Sequence, residues 1–485
     1  MKTISQEQAY QFVAEGTAPC EGTAPCEGTA PYEGTAPFEG TVPCEDTVSC
    51  ESETQTRKKR MKATRERLRE LVLYAKEHSP YFQEAYKGIG ESFALEDLPV
   101  TTKAGLMECY DRWPTDPQVT EESVRAYLSD VTNVSGSYLG CYTALSTSGT
   151  TGAPMPMVRD GYHNIIHGQL MEQRLLKGID KRKTSPFTAK VASVIATDGF
   201  VSSYSSALRI KNRLGEKEGN FLILSILTPV ADLVRQLNSF GPEMLTGYPS
   251  VLAVLARAKL DGGLTITPDV IASSAEKMTR DVYELLRKAF GCPVLDNYCS
   301  TEGGEIAMSC RHGHLHLNED WVLLEPVDDN MRPVPPGLWS TGVLITDLAN
   351  YVQPVIRYHV NDCVRLSEQP CECGSDLPVL DISGRMGDTL CLNGVDVAFP
   401  VVYFMLADVL GLMNWQLVQT KHNSVELRFQ ESYGANRAEV ACAAIYKLKE
   451  SLLSYGCGKV EVIRSEEPFI KNPRGGKTPQ IIKKI

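Results

Sequence analysis

The sequence predicts an α/β protein in two parts. A large N-terminal domain carries helices around several parallel-rich sheets, and a small, mobile α+β domain follows it. Three observations predict this. At 485 residues the chain exceeds what a single hydrophobic core organises. Between residues 190 and 300, short β-branched runs alternate with helical patterns, the signature of parallel strands covered by helices. The last hundred residues run helix, strand, helix, strand, an order that suits a compact α+β unit.

Composition narrows the class. Hydrophobic residues make up 42% and charged residues 22%, which is globular. A net charge of −11 argues against a broad nucleic-acid footprint, although a local anion site needs only a few donors. No apolar run approaches the roughly 18–20 residues that cross a bilayer, and Met1–Gln8 has no apolar run behind it. The 15 cysteines are odd in number and scattered, so reduced thiols in a cytoplasm are the expectation.

From Glu15 the chain repeats EGTAPC, EGTAPC, EGTAPY, EGTAPF, EGTVPC, EDTVSC. Gly, Pro and Thr in every period prevent a helix or an alternating strand from propagating, so residues 1–58 read as a disordered tail. Folded structure is expected from residue 59. Leu68, Leu71, Val72 and Ala75 lie at helical spacing there, and the Lys/Arg cluster at 57–60 reads as a solvated helix start. VASVIAT (191–197), FLILSIL (221–227) and DVIASSA (269–275) read as strands. VADLVRQLNSF (230–240) and VLAVLARAKL (251–260) read as helices. After residue 318 shorter strands follow: WVLLEPV, GVLITDL and DCVRL. The boundary between the domains is expected at 387/388, with helix VVYFMLADVL, strand SVELRFQ, helix AEVACAAIYKLKESLL and strand KVEVIR beyond it.

Residues 146–154, Ser-Thr-Ser-Gly-Thr-Thr-Gly-Ala-Pro, offer hydroxyls and exposed backbone N–H groups that can wrap phosphate oxygens. The loop lacks the lysine of GxxxxGK[ST] and is not GxGxxG. It has company downstream: Asn-Tyr-Cys-Ser-Thr-Glu at 297–302, Thr346-Asp347, Val-Ile-Arg-Tyr-His-Val-Asn-Asp at 355–362, Gly-Arg-Met-Gly-Asp at 384–388 and Pro-Arg-Gly-Gly-Lys at 473–477.

This ordered set, spanning about residue 60 to 485, resembles the adenylate-forming superfamily of acyl-CoA synthetases, luciferases and peptide-synthetase adenylation domains, and most of all its phenylacetate–CoA ligase and CapK-like branch. The resemblance implies that Thr147, Ser148, Gly149, Thr150, Thr151 and Gly152 hold the pyrophosphate end of ATP. It implies that Tyr298, next to Asn297, stacks on adenine, that Thr301 bonds the α-phosphate and that Glu302 ligates Mg²⁺. Asp362 would accept the ribose hydroxyls, and Arg385 would hold ribose or phosphate. Asp388 falls near the hinge, and Lys477 is the counterpart of the catalytic lysine. Gly247–Ser250 and Ser273-Ser274-Ala275-Glu276 match elements lining the nucleotide and acyl pockets. Three family glycines are replaced. Cys299 then requires a negative φ, Asn361 is expected in a left-handed turn, and Ala275 precedes Glu276.

Members of this branch can carry a structural zinc in segments matching Cys310-Arg-His-Gly-His-Leu-His and Cys371-Glu-Cys-Gly. Cys310, His316, Cys371 and Cys373 would close a tetrahedral set, with His312 or His314 as alternatives to His316. A pair of reduced surface cysteines is the plainer alternative. No HExxH or GxSxG is present to suggest a metallo- or serine hydrolase.

The resemblance implies ATP- and Mg²⁺-dependent activation of a carboxylic acid as acyl-AMP. The acid expected is aromatic or arylalkanoic, with Phe200, Tyr204 and Phe240 as pocket candidates and coenzyme A as acceptor. A homodimer is compatible with it. Two rivals stay open: transfer to an amine or carrier protein, and a non-catalytic nucleotide-binding homologue.

Overall fold

The computed structural model describes residues 50–147, 154–197, 199–226, 228–385, 389–398, 402, 405–406, 409–453, 457–471 and 478–485. Most of the hexapeptide repeats and the Gly-Gly-Lys segment therefore lie outside the described residues.

A 29-residue helix, α1 (Cys50–His78), opens the fold within the segment assigned to the tail. Ser79 then caps the short α2 (Pro80–Ala85), whose proline sits at the first turn where no N–H is needed. Leu71, Val72 and Ala75 of α1 are fully buried. Arg60 departs from the solvated reading. It is buried and pairs with Glu319 (3.0 Å) and Asp376 (2.8 Å). Two short helices, α3 (Lys103–Glu108) and α4 (Glu121–Ser129), lead to the hairpin β1 (Thr143–Ser146) and β2 (Pro156–Arg159). Asp160 then caps α5 (Gly161–Leu170).

The centre is a nine-stranded sheet. Its parallel half holds β3 (Val191–Ile195), β4 (Phe221–Ser225), β5 (Met244–Gly247), β6 (Val270–Ser274) and β7 (Val294–Ser300). Helices α6 (Ser202–Arg213), α7 (Val230–Phe240), α8 (Pro249–Leu260) and α9 (Arg280–Phe290) intervene. β7 then pairs antiparallel with β8 (Gly304–Ser309), which pairs with β9 (Leu315–Leu317). A three-stranded sheet follows, made of β10 (Val322–Val327), β11 (Gly342–Asp347) and β12 (Tyr358–Val360). β13 (Asp362–Leu366) and β14 (Val379–Arg385) return to the edge of the large sheet, whose order is β13-β14-β9-β8-β7-β6-β5-β3-β4. All five residues of β3 are buried, as expected for a strand covered on both faces.

The C-terminal unit begins with the hairpin β15 (Thr389–Leu392) and β16 (Val395–Ala398). A four-stranded sheet of order β19-β18-β17-β20 follows, covered by α10 (Arg437–Leu452). β17 (Leu412–Lys421) and β18 (Ser424–Glu431) pair antiparallel, and β19 (Glu461–Arg464) and β20 (Ile481–Lys483) flank them in parallel. Its buried residues, from Leu390 to Ile481, form a hydrophobic cluster of their own. Helix 401–410 of the sequence reading falls largely outside the described residues.

Candidate nucleotide site and cysteine–histidine cluster

The parallel strands end on one edge, and the chain leaves that edge through the motif residues. Ser274 ends β6, with Ala275 and Glu276 just beyond it, and Thr301 and Glu302 follow β7. The strand order reverses at β3, which has β4 on one side and β5 on the other, the kind of break outside whose strand ends open α/β sheets bind ligands. The phosphate-loop segment connects β1 to β2. Its ends are clamped where Thr147 N–H donates to the Met155 carbonyl (3.1 Å) and Thr147 Oγ1 accepts from Met155 N–H (3.0 Å). Ser148, Gly149, Thr150, Thr151 and Gly152 lie outside the described residues.

Arg159, at the end of β2, ties this hairpin to β7. Its Nη2 donates to the carbonyls of Ser300 (3.0 Å) and Thr301 (2.7 Å). Nothing in the sequence marked this arginine. Glu302 is half-buried and has no side-chain hydrogen bond or ion pair among the described residues. Asn297 is buried, with its Nδ2 3.4 Å from Met171 Sδ.

Tyr298 donates from its hydroxyl to Asp362 Oδ2 at 2.6 Å, so the residues read as base and ribose contacts stand side by side. Asp362 opens β13 directly opposite Arg385 on β14, although the Arg385 side chain is not among the described features. Cys299 keeps a negative φ and sits at a β-bulge. Asn361 corrects the expectation of a left-handed turn. It is the single residue between β12 and β13, where the chain passes extended from one sheet to another, and its φ is not positive. The left-handed residue is Arg357 (φ 47), held by a bidentate pair with Glu325 (3.0 and 2.9 Å) and by the carbonyls of Glu96 and Leu98. Ala275 likewise adopts φ 70, a conformation that costs an L residue about 1–2 kcal/mol.

Glu276 accepts from Ser250 N–H (3.1 Å) and from Thr478 N–H (3.4 Å). The residue after Lys477 thus docks on the edge that carries the other motifs. Lys477 and Asp388 lie outside the described residues. On the C-terminal unit the buried Gln416 accepts from Ile470 N–H (2.8 Å) and donates to the carbonyls of Ile470 (2.9 Å) and Pro479 (2.7 Å).

Beneath the Thr301–Glu302 segment lies a buried cluster. His163 and His167, one turn apart on α5, stack at 4.1 Å. Asp347 reaches both, with Oδ2 3.1 Å from His163 Nε2 and Oδ1 3.3 Å from His167 Nε2. Burial opposes charge on His167, but the Asp347 and Glu305 carboxylates outweigh it and hold the imidazolium up to about 9. Burial and the neighbouring His167 charge push His163 down to about 4. Burial pushes Asp160 and Asp296 up to about 6.

The structure brings Cys310, His316, Cys371 and Cys373 together, with one ligand atom from each within 4.8 Å of the others. Cys310 Sγ is 3.8 Å from Cys371 Sγ, and Cys373 Sγ is 3.4 Å from His316 Nε2. His316 Nδ1 lies 3.0 Å from the Leu377 carbonyl, the outer contact that orients a ligating imidazole. Main-chain N–H groups of His312 and Ser375 point at Cys310 and Cys373, each at 3.4 Å. His314 approaches Cys371 (3.2 Å) but is exposed, and it stands outside the four-donor set. Spacing and chemistry both fit a closed tetrahedral zinc.

Of the acyl-pocket candidates, Phe200 and Tyr204 lie just beyond β3 on the motif edge. Tyr248, within the Gly247–Ser250 element expected to line the pockets, joins them, its hydroxyl 3.3 Å from Ser203 Oγ. Phe240 is at the wrong end. It precedes β5, at the opposite edge of the sheet, under Lys190. A five-residue strand separates the edges by roughly 15 Å.

No family model matches the chain. CapK of Staphylococcus aureus is 30% identical over 161 residues, 32% of this chain and 34% of that protein. The match thus spans about a third of CapK's length. Phenylacetate–coenzyme A ligase of Thermus thermophilus is 26% identical over 373 residues, 71% of this chain and 74% of that enzyme. Two solved structures of a 2-hydroxyisobutyryl-CoA ligase in its postadenylation state superpose with TM-scores of 0.63 and 0.64 at 20% identity, each covering 88% of this chain and 90% of that one. Structures of that ligase in the open conformation and in the thioesterification state score 0.54 and 0.53. The architecture is that of these ligase structures. In sequence the chain is similar to the phenylacetate–CoA ligase and to CapK, the branch its motifs resemble.

Proposed function

We propose that this chain is an AMP-forming acid–thiol ligase that activates a carboxylic acid with ATP and passes the acyl group to coenzyme A. The convergence of Thr147, Arg159, Glu276, Tyr298, Glu302 and Asp362 on one sheet edge, with Thr478 docked beside them, carries this reading. A carboxylate is inert because oxide leaves poorly, whereas AMP leaves well.

Tyr298 supplies a face for adenine, and Asp362 accepts the ribose hydroxyls. Residues 148–152 and Thr301 take the phosphates, and Arg385 takes ribose or phosphate. A magnesium ion held by Glu302 would neutralise charge on the phosphate oxygens. Lys477 aims an ammonium at the charge that builds as the carboxylate attacks the α-phosphorus, an interaction stronger in the transition state than before it. Ser274 and Ala275 line the same pocket, and Asn297 backs it. Phe200, Tyr204 and Tyr248 suit an aromatic or arylalkanoic acid. Residues 388–485 form the lid, hinged near Asp388. Zinc held by Cys310, His316, Cys371 and Cys373 is structural, because four protein ligands leave no open position.

Acid-dependent pyrophosphate release across aryl and aliphatic carboxylates, with and without coenzyme A, tests the reading. Lys477→Ala is expected to slow acyl-AMP formation on the order of 10²–10³-fold while use of preformed acyl-AMP survives. Equal loss of both half-reactions would contradict the role of Lys477. Release with amine acceptors but not with coenzyme A would favour the amide-forming alternative.

A further inference from the structure

We propose that His167, backed by Asp347, is a positioning residue: it pins the start of β8 at Gly304–Glu305 and through it sets Thr301 and Glu302 in the turn before. This rests on the adenylation reading.

The ring lies flat against the start of β8 because residue 304 has no side chain. Gly304 has φ 62, and a Cβ there would fall 2.3 Å from His167 Cε1 and 2.5 Å from Nδ1. The neighbouring Gly303 is equally constrained, since a Cβ would stand 2.8 Å from Ile345 Cγ2. His167 Nδ1 is 2.9 Å from Glu305 N and 2.9 Å from Glu305 Oε2. One nitrogen serves only one of these at a time. The neutral ring accepts the amide N–H and the protonated ring donates to the carboxylate, so residue 305 is tethered in either state. From the far side Asn318 Nδ2 donates to the Glu305 carbonyl (2.8 Å).

Asp347 holds the ring from behind. Its Oδ1 lies 3.3 Å from His167 Nε2 and accepts Ala349 N–H at 2.9 Å. Since α5 directly follows β2, the clamp joins the phosphate-loop hairpin to the loop bearing Glu302, three residues upstream of Glu305. A metal ion on His163, His167 and Asp347 is the competing arrangement for these donors. A metal on His167 Nε2 and a proton there both make Nδ1 a donor, to Glu305 Oε2 at 2.9 Å, so metal content separates the two arrangements.

The test compares His167→Asn, whose amide places a polar atom where Nδ1 stands, with His167→Gln and His167→Leu, which do not. Expected are kcat values for pyrophosphate release within about fivefold of wild type for Asn and lower by roughly 10–100-fold for Gln and Leu, with the KM for the acid unchanged. Hydrogen exchange of the peptide spanning 300–306 should quicken in Gln and Leu but not in Asn. Equal impairment of Asn and Leu at matched Tm, or wild-type rates and exchange in Leu, would overturn the proposal. So would a tightly bound second metal equivalent that survives Cys371→Ser and is lost in Asp347→Asn. If the wild-type protein releases no pyrophosphate with any acid, the adenylation reading fails instead, and the exchange series still decides the clamp.

Discussion

Replacing Cys371 by Ser should empty the cysteine–histidine cluster of zinc. A tetrahedral ion with Zn–S near 2.3 Å and Zn–N near 2.0 Å separates two sulfurs by about 3.8 Å and a sulfur from a nitrogen by about 3.5 Å. The cluster has 3.8 Å between Cys310 Sγ and Cys371 Sγ and 3.4 Å between Cys373 Sγ and His316 Nε2. The donors therefore need to move little to close on an ion. Protein purified without chelator should carry about one zinc per chain by elemental analysis, and Cys371→Ser close to none. With free zinc at about a thousandfold its Kd, saturation adds roughly 4 kcal/mol to unfolding, which the variant should not show in urea titrations. Pyrophosphate release per folded molecule should be retained, since the cluster lies apart from the motif edge. Wild-type protein with well under a tenth of an equivalent, or equal zinc in the variant, would refute the reasoning.

Other predictions follow from the same geometry. Ala275→Gly relieves a left-handed alanine and should raise unfolding free energy by about 0.5–1 kcal/mol after glycine's entropic cost; a lowered urea midpoint would contradict this. Arg357→Leu strands the buried Glu325 and should cost about 3–5 kcal/mol in the same titration; a loss below about 1 kcal/mol would deny the pair its role. His167 is raised to about 9, so its contribution is complete below pH 6.5 and drains away as pH climbs through 9. Stability at pH 7, 8 and 9 should decline in wild type and stay flatter in His167→Asn. Asp362→Ala should raise the KM for ATP on the order of tenfold or more while leaving the KM for the acid alone.

Much of the architecture was legible because the central strands β3 and β6 are buried almost throughout, and β4 at the sheet edge is apolar as well. Uninterrupted β-branched runs marked β3, β4 and β6, and the period of apolar residues gave α7 its observed limits, Val230–Phe240. β17 escaped notice because Gln416 and Gln419 are buried within it and serve as ties, so its pattern does not alternate. Arg60 read as solvent-facing because its partners, Glu319 and Asp376, lie more than 250 positions away. The site divides in the same way. Motif residues with distinctive spacing could be read directly, and the fold gathers the described ones on one edge. Arg159 and His167 could not, because their roles come from contacts with main chain remote in sequence. Asn361 misled because glycine at a motif position suggests a turn, whereas here the left-handed bend falls four residues earlier at Arg357.

Gln416 works as a buckle. One amide on β17 fastens the chain both before and after the segment that carries Lys477, at Ile470 and at Pro479. The reach of that segment is therefore set by a residue some sixty positions upstream that touches no substrate. Exchanging Gln416 for a shorter or apolar side chain would be a way to retune the timing of the reaction while every group facing the nucleotide stays as it is.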